Sequence, residues 1–125
     1  MNIYVFGNPD IDIDNKAIRV AKQLEKQFNN ITFLYVDPNE DFDPKEKDLL
    51  ILDCAMGIGR VEVIEDLDNV KLTHSVSMHD FDLGFNLKLL KKLKKINSIK
   101  IIAVPIESDL DIAIEGVGDV LRNEL

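Results

Sequence analysis

The sequence predicts an α/β fold: a three-layer α/β/α sandwich around a mostly parallel sheet, with an antiparallel hairpin or edge strand. Three observations carry this expectation. Short, largely apolar runs at Ile3 to Phe6, Leu49 to Leu52 and Ile99 to Val104 read as strands covered on both faces, as the strands of parallel sheets are. Between them lie stretches whose apolar residues recur at spacings of three and four, the period of an amphipathic helix. Val61 to Ile64 instead alternates, at a place where a simple β–α repeat would supply a helix.

Taken in order, Ile3 to Phe6 closes on Gly7-Asn8-Pro9, a sharp-turn signal. An acidic loop follows, in which Asp10, Asp12 and Asp14 alternate with Ile11 and Ile13. Ala17, Val20, Ala21, Leu24 and Phe28 then mark a helix, with Asp14 or Asn15 as its N-cap. Asn29-Asn30 ends it, and Ile31 to Val36 makes the second strand. Asp37 to Lys47 is a polar loop with Pro38 and Pro44. The third strand stops at Asp53-Cys54, ahead of a turn holding Gly57 and Gly59. Val61 to Ile64 is the next strand, with Val70 to Val76 available as an antiparallel hairpin partner. Leu83 to Ile96 is a helix, with Leu87, Leu90 and Leu93 inward and Lys88, Lys91, Lys92, Lys94 and Lys95 outward. Ile99 to Val104 is a buried strand stopped by Pro105. Ile112 to Leu125 reads as a C-terminal helix weakened by Gly116 and Gly118.

A length of 125 residues fits a single domain, 1–125, and 46% apolar residues can build one core. A net charge of −8, from 15 basic and 23 acidic residues, works against nucleic acid and anionic membranes as partners. No apolar run approaches the length of a membrane span. The start, Met1-Asn2-Ile3-Tyr4, has no basic, cleavable leader pattern, and one cysteine excludes an internal disulfide; a reducing, cytoplasmic location is expected, and a monomer.

Ligands of open parallel sheets bind outside the carboxyl ends of the strands. Asp14 after the first strand, Asp53 after the third and His79 before the second long helix fall there or close by. Two carboxylates and an imidazole suit a divalent metal with open coordination positions. Each also has a plain structural use: Asp14 as an N-cap, Asp53 in a turn or as a cap, His79 on the surface. Cys54, beside Asp53, has no accompanying base or oxyanion motif and reads as a small buried residue. His74 reads as a solvated position, and the lysines from Lys88 to Lys95 as a solvated helix face.

Gly7-Asn8-Pro9 with its acidic loop, Leu49 to Asp53, and Ser77-Met78-His79 with Leu83-Gly84 together resemble the hydrogenase maturation endopeptidases, and the order holds across nearly the whole chain. Ile101 to Val104 with Pro105 and Glu107 is similar to that family's last sheet segment. The resemblance implies an endopeptidase that removes the C-terminal extension of a nickel–iron hydrogenase large-subunit precursor. It places metal ligands at Asp14, Asp53 and His79, with Asp14 and Asp53 also the catalytic carboxylates. The ion is a divalent metal, nickel carried by the substrate, for which zinc or cadmium would substitute. Either the metal polarises the scissile carbonyl or activates water, or it only docks the substrate while Asp14 or Asp53 acts as base. In the first loop the family has a glycine, two consecutive acidic residues and a glycine; this chain has Asp12-Ile13-Asp14-Asn15. A non-catalytic metal-binding maturation scaffold is therefore the alternative. A receiver-like signalling domain is a further one, suggested by Asp48 to Asp53 followed by Met56-Gly57. It lacks an acidic pair directly after the first strand and a lysine after Val104.

Overall fold

The computed structural model describes residues 1–7, 15–36, 44–55, 57–65 and 96–123. Within them the order is β1 (Asn2–Val5), α1 (Lys16–Leu24), β2 (Thr32–Tyr35), β3 (Asp48–Ala55), β4 (Glu62–Ile64), β5 (Ser98–Pro105) and α2 (Leu110–Asn123). The five strands form one sheet in the order β2-β1-β3-β5-β4. β1 runs parallel to both β2 and β3, β3 runs parallel to β5, and β4 is antiparallel to β5 at the edge. The chain thus moves outward from β1 to β2, then returns past β1 to β3. Strand order reverses between β1 and β3, the point at which such sheets open a crevice.

The α/β class, the mostly parallel sheet and the antiparallel edge strand agree with the sequence. The helix expected from Leu83 and the hairpin partner Val70 to Val76 lie outside the described residues. Among the described residues β4 finds its partner in β5, with Glu62 opposite Ala103, Val63 opposite Ile102 and Ile64 opposite Ile101.

β3 is the longest departure from expectation. It does not stop at Asp53 but runs to Ala55, because β5 offers a partner for each of its eight residues, from Asp48 opposite Ser98 to Ala55 opposite Pro105. Both strands are buried on both faces. Leu50, Leu52, Cys54, Ile102 and Val104 turn to one face, where they meet Ala17, Val20, Ala21 and Leu24 of α1 and Ala113, Val117 and Leu121 of α2. Leu49, Ile51, Ala55, Ile101 and Ala103 alternate onto the second face with Phe6 and Ile96, and are buried as well. Each fully buried Ile or Leu here contributes roughly 1.5–3 kcal/mol relative to exposure.

α1 ends at Leu24, before the predicted Phe28; the chain leaves it through turns in which Gln27 and Phe28 N–H groups both donate to the Leu24 carbonyl. Phe28 still packs on the core, and the Arg122 guanidinium of α2 lies 5.5 Å from its ring centre. α2 begins at Leu110, two residues before the predicted Ile112, with the Asp109 carbonyl accepting from Ala113 N–H and Asp111 in the first turn. An acidic side chain there complements the positive end of the helix.

Gly116, read from the sequence as a weakness in α2, has a packing role. A Cβ at that position would stand 2.8 Å from Val61 Cγ2 and 3.2 Å from Val61 Cβ, so the missing side chain lets the segment entering β4 approach α2. On β1 and β2, Tyr4 donates from its hydroxyl to Glu46 Oε1 at 2.9 Å, and Tyr35 donates to Glu25 Oε1 at 2.5 Å. Burial, then the hydrogen bond to Glu46 and its charge, push the Tyr4 phenol up to about 12; burial, then the hydrogen bond to Glu25 and its charge, push Tyr35 up as well.

Two outcomes follow from this packing. Gly116→Ala gains about 1 kcal/mol of helix propensity but costs about 1–3 kcal/mol through overpacking against Val61, a net loss in urea unfolding. In a Val61→Ala background, which removes the 2.8 Å contact and keeps the 3.2 Å one, the same change should cost less; equal effects in both backgrounds would remove the contact from the explanation. The folded phenol of Tyr4 holds its proton more tightly than an unfolded tyrosine, whose value is about 10. Its stabilising contribution is therefore whole below pH of about 10 and is lost as pH rises through about 12. Ultraviolet titration of the folded protein should show both tyrosines ionising late, and ionisation of both near the unfolded value would contradict the two carboxylate bonds.

Candidate functional site

The carboxyl edge of the sheet gathers the ends of β1, β3 and β5 and the starts of both helices. Val5 stands opposite Leu52, and Phe6 N–H donates to the Leu52 carbonyl at 2.9 Å, so β1 leaves the sheet level with Asp53. Gly7 (φ 154°) and Gly57 (φ 81°) stand just beyond β1 and β3, with backbone that side-chain-bearing residues rarely adopt.

Asp53 lies inside β3, two residues before its end, and is fully buried. Cys54 packs with the helix side, and Ile51 and Ala55 with the second face, so strand alternation turns Asp53 to the second face. In the β5 register its neighbour is Ala103, whose own partner across β4 is Glu62. Continuing the β1 register places Phe6 on its other side. A carboxylate between Phe6 and Ala103 is costly to desolvate unless hydrogen-bonded. Its Oδ1 accepts the Cys54 N–H at 2.8 Å. The sequence placed Asp53 where the third strand stops; the longer β3–β5 ladder brings it into the sheet.

Cys54 is buried, as expected, and does more than fill space. Its Sγ accepts the N–H of Ala17, at the start of α1, at 3.3 Å. Asn15 occupies the N-cap position, but its side chain makes no capping bond. One of the N–H groups that a helix start leaves without an intrahelical partner is thus met by sulfur from the sheet. Beside it, Lys16 Nζ donates to the carbonyls of Ile106 and Ser108, tying the start of α1 to the turn between β5 and α2. Neither contact has a sequence signature, because each joins residues far apart in the chain. Glu62, which the register brings onto the row of Asp53, was legible only as a strand residue.

Asp53 and Cys54 are adjacent in a strand and therefore face opposite ways. That separates the carboxylate from the thiol and removes any Asp–Cys pairing as nucleophile and base. Of the expected metal set, Asp53 is described, whereas Asp14 and His79 lie outside the described residues, as does His74. Among the described residues no group of three or more His, Cys, Asp or Glu side chains is arranged to hold a metal ion. Among them too, no helix is long and apolar enough to cross a membrane.

Cys54→Ala should remove the acceptor for Ala17 N–H and cost about 1–3 kcal/mol. Hydrogen exchange at the Ala17 amide should quicken beyond what that stability change explains. Unchanged protection of this amide would show that the sulfur contact contributes nothing. Comparisons of this chain with protein-family models, with curated proteins and with solved structures find no match.

Proposed function

We propose that the chain is a metal-recognising endopeptidase of the hydrogenase maturation type, which removes the C-terminal extension of a nickel–iron hydrogenase large-subunit precursor in the cytoplasm, as a monomer. The observation that carries this reading is Asp53. It is a buried carboxylate near the carboxyl end of the third strand, beside the reversal of strand order, and it is followed by the strand β4 in the order the resemblance requires. Asp14, Asp53 and His79 are the proposed ligands of a divalent ion, nickel that arrives in the substrate, with zinc or cadmium as surrogates.

Three protein ligands leave positions free for an ion shared with the precursor. Such an ion would hold the flexible extension against the carboxylates and lower the entropic cost of attack. Asp14 or Asp53 would take a proton from the attacking water as the peptide C–N bond breaks and the leaving amine is protonated. The geometry sets one condition on this scheme. α1 starts over Cys54, on the side opposite Asp53, so an ion shared between Asp53 and the start of α1 would have to lie at the carboxyl edge of β3.

A specific observation favours the second reading, a non-catalytic metal-binding scaffold: the first loop carries Asp12-Ile13-Asp14-Asn15 without flanking glycines. The receiver reading is weaker. No lysine follows Val104, where Pro105 stands, and β4 stands where a helix would follow.

Calorimetry with nickel or zinc should give about one ion per chain, and His79→Ala should weaken binding by about tenfold or more. Equal binding by the variant would take His79 out of the site. The function itself is read by a gel shift of the precursor large subunit, with and without nickel. Wild type should shorten the nickel-loaded precursor, and Asp14→Asn should reduce processing more than it reduces stability. Cleavage of nickel-free precursor at the same rate would overturn docking through the ion. Binding of metal with no cleavage under any metal condition would overturn the peptidase and leave the scaffold.

A further inference from the structure

We draw no further inference here: the strongest candidate, the cross-sheet row of Glu62 on β4, Ala103 on β5 and Asp53 on β3 near the carboxyl end of the second face, is a pair of carboxylates with nothing in the structure that points to a ligand between them.

Discussion

The eight-residue parallel ladder between β3 and β5 is the constraint on which the other elements depend. Apart from Asp53 its buried residues are apolar on both faces, so it is stable only when both faces are covered, while β1 and β4 pair with the backbone along its two edges. The helix side takes its shape from the same ladder. Cys54 and Val104 set the floor on which α1 and α2 meet, and Gly116 removes the one side chain that would keep α2 off Val61. The ladder also decides the state of Asp53, since a strand ending at Leu52 would have left that carboxylate in a turn.

At the carboxyl edge, polar groups that often bind ligands are already committed to the protein. A helix start commonly offers its N–H groups to an anion. Here the Ala17 N–H points to Cys54, and the Lys16 ammonium beside it is bonded to two carbonyls. These contacts hold α1, β3 and the β5–α2 turn in one arrangement. The reversal point between β1 and β3 is thus bordered by groups already paired within the protein, with Gly7 and Gly57 at positive φ beside it.

Much of the sheet was legible in the sequence because wholly apolar runs and alternating runs have different causes. Leu49 to Leu52 reads as a strand covered on both sides, and Val61 to Ile64 as an edge strand with one face packed. Strand ends were less legible. Whether Asp53 belongs to β3 depends on Ala103, fifty residues away, and no local pattern in the sequence contains that register. The cap of α1 was legible as a position, which Asn15 holds, but not in its bonding, for a related reason. Asn15 has the right chemistry for an N-cap, yet the first turn of α1 is served by Cys54, a residue with little reputation as an acceptor. Gly116 was read through helix propensity alone, which cannot register a neighbour from another element. Of the candidate site, the sequence identified Asp53 and its edge of the sheet, but not the face to which it turns.

That face limits the kind of ligand that suits the site. Strand alternation sends Asp53 and Cys54 to opposite sides of the sheet, and α1 begins on the cysteine side. A compact molecule resting on one face touches the surroundings of only one of them. A ligand engaging both Asp53 and the start of α1 has to lie across the carboxyl edge of β3. An extended, flexible peptide can do so, because its backbone spans about 3.3–3.6 Å per residue and two or three residues bridge the thickness of a strand. It would lose conformational entropy when held there, about 1–2 kcal/mol for each residue ordered. A tail tethered at its far end through a shared metal ion would meet part of that cost before reaching the carboxylate. On the function proposed above, that tether is what would let a flexible chain end act as the ligand of this edge.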